Sequence, residues 1–578
     1  MKINLPVIKN LLLLTKPHHR LLFMGTVILV VGIIAEAFFP LIVKNIIDQS
    51  IPSGNIKMVM VNSGLALILI VISLGCSFIQ VYFFISAGIK IVISLKEKLF
   101  NHIINLSMDF FDRTPPGKLI ARVESDTQQI QELFSVTIMG LFKMFFSLII
   151  ILTMMFINAF KITLAILIFC IPLIPITTIV AFILRKKFIK IRQRYAELTG
   201  FLAEYIKGIP IIQSFSQLPW AKDMLSLYNK KLYSQESSTY FFLYSSWAFL
   251  MSAEVIAIII LIYFGFLKPV IAITAGTTIM MIEYTRKIFV PLMSIGEEIS
   301  RMQRGFAAAE RAFNIFQLSS STIEHPQALQ NIPRKWQKIQ FNQVSFRYQP
   351  NQYALKEVSL TIPRGKTVAL VGVSGAGKST LINLLLRFYD PTSGHITLDH
   401  TDIRKFSLPV WRKNIGLILQ DIFIFPGTIL DNIRYFSPHI AREEVEDILN
   451  LIGVKDFYEQ LPQGLDTWLA EGGINLSVGE RQIISFARAM VNQPEILVMD
   501  EATSSIDITT ELKMLKSLQN SSRNRTVVII AHRLSTVSNA DNIVVLDQGN
   551  IVQQGDHAEL FQSEGIYKKL YRLQYKSE

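Results

Sequence analysis

The sequence predicts an all-α polytopic transmembrane domain of six helices with long cytoplasmic extensions, followed by an α/β domain with a largely parallel sheet. Three observations carry that prediction. Of 578 residues, 51% are hydrophobic and only 17% charged, with a mean hydropathy of +0.39, whereas a soluble domain carries about 25% charged residues. The apolar residues gather before residue 300 into stretches of membrane-crossing length. Beyond about residue 337, short β-branched runs alternate with helical stretches, the pattern of parallel strands joined through helices. Disorder, collagen, coiled coil and a disulfide scaffold are excluded by the same composition.

A bilayer core about 30 Å thick needs roughly 20 apolar residues per helix. Charge-poor stretches of that size lie at 21–43, 58–89, 133–160, 162–184, 237–267 and 269–295. Lys2, Lys9, Lys16 and Arg20 precede the first, and bulky residues continue to Phe39 and Pro40 with no small-residue cleavage site. A retained helix is expected there, not a removable signal. Short connections follow the first, third and fifth stretches; long polar segments with helical patterning, 90–132 and 185–236, follow the second and fourth. The long segments carry Lys90, Lys96, Lys98, Arg113, Lys118 and Arg122, then Arg185, Lys186, Lys187, Lys190, Arg192 and Arg194. Basic residues favour the cytoplasmic side, so these segments and both termini are expected there.

The net charge of +13 does not imply nucleic acid. Residues 1–336 hold +14 and residues 337–578 hold −1, so the excess travels with the apolar half, and anionic membrane lipid is the expected partner. Cys76 and Cys170 both lie in apolar runs and suggest neither a disulfide framework nor a metal site. The charges Glu36, Lys143, Glu254, Glu283 and Arg286 fall within apolar stretches. Such groups are costly in lipid and are expected to face the bundle interior, as interhelical pairs in preference to substrate contacts. The turn-rich stretch 317–336 reads as a linker, giving a transmembrane domain over 1–316 and an α/β domain over 337–578.

The strongest motif is Gly372-Val-Ser374-Gly375-Ala-Gly377-Lys378-Ser379, which fits G-x-x-x-x-G-K-[ST] between a strand, Thr367–Val371, and a helical run, Thr380–Phe388. Its glycines let backbone N–H groups close on phosphate oxygens at a helix N-terminus. Lys378 adds a point charge for the β/γ-phosphates, and Ser379 can ligand Mg²⁺. Some 120 residues on, the strand Ile496-Leu-Val-Met-Asp500 ends in Asp500 and Glu501. Asp500 suits the Mg²⁺-holding role, and Glu501 is placed to orient or deprotonate an attacking water.

Between these motifs, Leu476-Ser477-Val478-Gly479-Glu480-Arg481-Gln482 leads into the helix Ile483–Met490. This stretch resembles the LSGGQ signature of ATP-binding-cassette (ABC) proteins. The domain is similar to that family in order: Tyr348 as A-loop, Gly372–Thr380 as Walker A, Gln420 as Q-loop, the signature, Asp500/Glu501 as Walker B, Ser504–Asp507 as D-loop and His532 as H-switch. The membrane half resembles that of six-helix ABC exporters, with Phe111–Val123 and Glu204–Phe215 similar to stretches near that family's coupling helices.

The resemblance implies ATP as nucleotide and Mg²⁺ as its metal, held by Ser379, Gln420 and Asp500. It implies that Tyr348 stacks on adenine, that Thr380 lies with the phosphates, and that Gln420 touches Mg²⁺ and the attacking water. His532 would contact the γ-phosphate; Glu501, His532 and Gln420 form the implied catalytic set. Ser477 and Gly479 would contact the γ-phosphate of an ATP held by another subunit, with Asp507 at the subunit interface. One nucleotide domain therefore cannot complete an ATP site, and a dimer is implied. The signature departs from the family at Val478 and Glu480. It retains Ser477 and Gly479, and signatures with this Val resemble those of some half-transporters that work as heterodimers, so homodimer and heterodimer both stay open.

The implied activity is ATP-driven export by alternating access, moving a hydrophobic or amphiphilic small molecule. Drug efflux and lipid flipping are rivals, and a nucleotide-gated channel or regulator on the same scaffold is a further alternative. Six membrane stretches exclude a soluble translation or repair factor. The aromatic and Met side chains Phe241, Phe242, Tyr244, Trp247, Phe249, Met251, Met280 and Met281 would suit apolar ligands, though packing or lipid contact is their commoner use. The compact form and the lack of a targeting segment imply a bacterial inner membrane.

Overall fold

The computed structural model describes residues 5–266, 273–318, 322, 327–333, 335–435, 437, 439–459, 461–500, 525–530 and 537–575. The chain divides into two units, one of 1–105 and 115–318 and the other of 106–114 and 319–578.

The first unit is helical. Its main helices are His19–Asn45, Ile56–Ile104, Ile138–Cys170, Leu173–Lys207, Leu218–Phe266 and Ala275–Phe316. Four stretches of described residues are long and apolar enough to cross a membrane: Leu5–Ser50, Ile56–Ile104, Pro116–Lys207 and Leu218–Gly265. The third of these covers both 133–160 and 162–184, and its backbone leaves helical geometry at Ala159 (φ −153°, ψ 66°), at the end of the first of those two expected stretches. Ala275–Phe316, where 269–295 was expected to cross, carries Glu283, Arg286 and Lys287 and falls outside the four. Phe78, Ile157 and Leu67 stand exposed on helix surfaces. An apolar exterior of this extent is stable only against lipid or another protein.

The core of this unit joins helix Ile138–Cys170 to the helices after it. Met155, Ile166, Ala257, Leu261, Met280, Met281 and Phe289 pack together, with Tyr284 donating its hydroxyl to the Ala37 carbonyl at 2.6 Å. Met280 and Met281 are thus core residues, while Phe241, Tyr244, Trp247, Phe249 and Met251 lie exposed. The intramembrane charges meet the expectation of interhelical pairs only in part, because the Arg286–Glu283 pair lies within one helix and Arg286, Glu283 and Glu36 are about half exposed. Lys287 Nζ meets Glu36 at 2.9 Å, and Arg286 lies 3.4 Å from Glu283 and 3.8 Å from Glu254; Lys143 is exposed.

The second unit is α/β. Strands β1 (Lys338–Gln349), β2 (Gln352–Pro363), β4 (Ser393–Leu398) and β5 (Thr401–Asp402) form an antiparallel sheet, ordered β2-β1-β4-β5. A six-stranded sheet comprises β3 (Thr367–Val371), β6 (Ile415–Ile418), β9 (Ile496–Asp500), β10 (Thr526–Ile530), β11 (Asn542–Asp547) and β12 (Asn550–Gly555). Its order is β12-β11-β3-β10-β9-β6, parallel except for β12. Gly427–Thr428 (β7) pairs with Trp468–Leu469 (β8). A parallel strand is buried on both faces and so needs apolar residues throughout. In β3, Val368 and Leu370 enter one core while Ala369 and Val371 enter another. Trp336 is buried in the first of these cores, its Nε1 donating to Glu495 at 2.7 Å beneath the Arg364 guanidinium.

Candidate functional site

In a parallel sheet, ligands bind beyond the carboxyl ends of the strands. The β3-β10-β9-β6 order brings three candidate elements to that edge. Gly372 follows β3, Asp500 ends β9 opposite Ile530, and Gln420 lies two residues beyond β6, whose Ile418 pairs with Met499. The loop after β3 turns through Gly375 (φ +80°) and Gly377 (φ +108°). At Gly377 a side chain is barred twice, by this φ and because a Cβ would lie 2.7 Å from Leu355 Cδ2 and 2.8 Å from the Ala354 carbonyl. Helix Lys378–Leu385 then starts directly from the loop, with its first N–H groups directed at the loop mouth. Lys378 is buried and arches back over the loop, donating to the Gly372 carbonyl at 2.8 Å and the Val373 carbonyl at 3.1 Å. Ser374 and Ser379 are exposed at the loop, and Thr380 is buried one position on.

Tyr348 stands at the end of β1 beside this helix. Its hydroxyl lies 3.4 Å from Thr380 Oγ1 and accepts from Asn383 Nδ2 at 3.2 Å. Its ring is half-exposed and meets Phe346 and Tyr389 edge-on, leaving an aromatic surface for a flat partner. Ser379, Gln420 and Asp500 offer a hydroxyl, an amide oxygen and a carboxylate, the hard oxygen donors that Mg²⁺ prefers. Among the described residues no group of three His, Cys, Asp or Glu could hold a metal. Glu501, Ser504, Asp507 and His532 lie outside the described residues.

The signature stretch opens helix Val478–Met490. Ser477 is its N-cap: its Oγ accepts from the Glu480 N–H at 3.2 Å, while the Ser477 N–H donates to the Glu480 carboxylate at 2.6 Å. This reciprocal capping box fixes the helix start. Gly479 has open space where a Cβ would stand. Glu480, a departure from the family pattern, is therefore part of the local architecture.

Two further residues were not apparent from the sequence. Arg488, on the signature helix, donates to the Phe423 carbonyl at 2.8 Å, the Asn432 carbonyl at 2.9 Å and Asn432 Oδ1 at 3.0 Å. Asn432 is itself buried and bonds the backbone of Phe425 and Thr428. Together they tie the signature helix to the chain following Gln420. The available signal was polar residues among apolar ones: Arg488 falls one helical turn after Ile484, and Asn432 lies between Leu430 and Ile433.

A phosphate-binding loop on a parallel sheet, joined in one chain to membrane-length helices, defines a membrane-bound P-loop nucleotide-binding protein. Two family matches carry this further. Residues 22–292 match the family described as ABC transporter transmembrane region and residues 355–504 match the family described as ABC transporter. The chain belongs to the ABC transporter family. It is 32% identical to an ATP-dependent lipid A-core flippase of Syntrophus aciditrophicus, over 100% of this chain and 96% of that protein. It is 34% identical to a Staphylococcus aureus protein provisionally named for multidrug export, over 98% of this chain and 100% of that protein. A bacterial Atm1-family ABC exporter solved with ATP bound shares the fold at a TM-score of 0.81 and 24% identity, over 96% of this chain and 99% of that one. The chain is accordingly an ATP-driven transporter of the exporter type, with a multi-pass membrane domain and a domain that binds ATP and couples its hydrolysis to transport.

Proposed function

We propose that the chain works as a dimer that exports a hydrophobic or amphiphilic small molecule or lipid from a bacterial inner membrane. The observation that carries this reading is that one chain holds a membrane domain, one phosphate loop and one signature helix. Each protomer would supply Lys378, Ser379 and Tyr348 to one ATP, and Ser477 and Gly479 to the ATP of its partner. Mg²⁺ would be held by Ser379, Gln420 and Asp500 and would neutralise charge on the phosphates. Glu501 would orient the attacking water, and His532 and Gln420 would contact the γ-phosphate and the water. Asp507 would stand at the dimer interface, and Gly372, Ser374, Gly375, Gly377 and Thr380 would complete the phosphate cradle. Closure on ATP would favour the outward-facing state and hydrolysis would reset it, a population shift between two arrangements.

In this reading the membrane domain spans 1–316 with six crossings, the linker runs over 317–336, and the nucleotide domain over 337–578, with both termini cytoplasmic. The relatives named for lipid flipping and for multidrug export support an apolar or amphiphilic cargo. The test is the ATPase rate of the chain alone in lipid nanodiscs, with Glu501→Gln as control. Robust hydrolysis in the wild type, lost in the variant while ATP still binds, is the expected result for a working homodimer. Negligible hydrolysis by well-folded protein would overturn the homodimer and direct attention to a second half-transporter.

A further inference from the structure

The ring of Tyr348 belongs to one aromatic cluster. It meets Phe346 at 4.8 Å and 89° and Tyr389 at 5.3 Å and 87°, and those two rings touch each other at 5.4 Å. The Tyr348 hydroxyl reaches a different element, the helix Lys378–Leu385 that starts from the phosphate loop. It accepts from Asn383 Nδ2 at 3.2 Å and lies 3.4 Å from Thr380 Oγ1. The second distance is at the outer limit of a hydrogen bond, which leaves Asn383 as the firmer hold. Asn383 is the one amide in the apolar run Leu381-Ile-Asn-Leu-Leu-Leu386, whose other members are all buried. Asparagine is a poorer helix former than leucine, so the helix gains nothing from it. Its side chain is used instead on Tyr348.

We propose that Asn383 is a positioning residue for the nucleotide: it holds Tyr348 at a fixed place beside the phosphate-loop helix and so sets how much the base adds to ATP binding. The proposal rests on the reading of Tyr348 as the adenine contact. On that reading one ligand meets two elements at once, its base at the end of β1 and its triphosphate at the loop Gly372–Ser379. Strand β1 lies in the antiparallel sheet, whereas the loop follows β3 of the six-stranded sheet. Neither sheet alone therefore fixes the spacing of the two contacts, and the Asn383–Tyr348 bond spans them. A ring held in place before the base arrives needs no ordering on binding. Ordering one free side chain costs about threefold to tenfold in affinity.

The experiment is equilibrium binding of ATP and of inorganic tripolyphosphate to the full chain in nanodiscs, in the Glu501→Gln background. Tripolyphosphate offers the phosphate loop its charge without a base. Asn383→Leu keeps the shape but removes the donor, and is expected to weaken ATP by about threefold to tenfold while tripolyphosphate binds as to the parent. Asn383→Gln restores an amide donor and should recover part of the loss. Tyr348→Phe keeps the ring and breaks the same bond from the other side. It should shift the ratio of the two affinities equally, and the double variant should add nothing further. Equal weakening of both ligands, which a merely structural role would give, or a parental ratio in both single variants would overturn the proposal. Tyr348→Leu separates the two ideas. Unchanged ATP affinity there would remove the adenine contact and the proposal with it, whereas weakened affinity there beside a parental ratio in Asn383→Leu and Tyr348→Phe would remove the positioning role alone.

Discussion

Arg488 ties the signature helix to the chain that follows Gln420. Burial disfavours its charge and pulls its pKa below the ordinary guanidinium value, so the site keeps a cation only because three acceptors on Phe423 and Asn432 surround it. Arg488→Met removes the donor and leaves buried acceptors unmatched, at a cost of about 3 kcal/mol; the urea midpoint followed through Trp336 and Trp411 should fall accordingly, and an unchanged midpoint would contradict the assignment. Asp126 shows the opposite electrostatics. Burial raises its pKa, but hydrogen bonds from Arg311 (2.5 and 3.1 Å) and Arg122 (2.8 Å) outweigh burial and hold it below its ordinary value of 3.8. A depressed folded-state pKa stabilises above the unfolded value, and that contribution disappears as pH falls through the folded value. Asp126→Asn should therefore lower the melting temperature at neutral pH, with the difference from wild type shrinking below about pH 3.8. A difference independent of pH would show that packing, not charge, is what Asp126 supplies.

At the scale of elements, the signature helix is held at its start by the Ser477–Glu480 capping box. Glu480→Ala loses one of two reciprocal bonds and should destabilise the domain by about 1 kcal/mol; Glu480→Gln preserves the acceptor and should be nearly neutral, as thermal melts of both would show. Equal losses in the two would mean that the carboxylate charge matters more than the bond. Much of this element was legible beforehand. The loop Gly372–Ser379 has a local code, because only glycine fits φ values such as +108° at Gly377, and the strands on either side of it announce themselves by continuous apolar runs. The capping role of Glu480 was equally local, yet comparison with the family pattern presented it as a departure and hid its bond. Contacts between elements distant in sequence were not legible. Nothing at Arg488 points to Asn432, 56 residues earlier, nor anything at Tyr389 to Asp112, 277 residues earlier. The stretches 133–160 and 162–184 read as separate crossings, whereas helix Ile138–Cys170 runs across their boundary, leaving helical geometry at Ala159, and the next helix begins at Leu173 inside the second stretch, since a hydropathy minimum and a helix break are different physical events.

The whole molecule joins an apolar helical unit to an α/β unit whose sheet brings the Gly372–Ser379 loop, Gln420 and Asp500 to one edge. The ion pairs of Glu36 with Lys287 and of Arg286 with Glu254 and Glu283 lower the cost of charge within the membrane domain. Glu283→Gln should consequently reduce thermal stability while leaving transport intact; transport lost at unchanged stability would make Glu283 a substrate contact. In this transporter ATP hydrolysis drives directional movement across the membrane. The most direct measurement is ATP-dependent translocation of fluorescent lipids and of amphiphilic dyes in inside-out vesicles, comparing the wild type with Glu501→Gln. Net accumulation or flipping that requires ATP and disappears in the variant is the predicted result. Passive equilibration unaffected by the loss of hydrolysis would contradict it, and would instead mark the chain as a nucleotide-gated pathway.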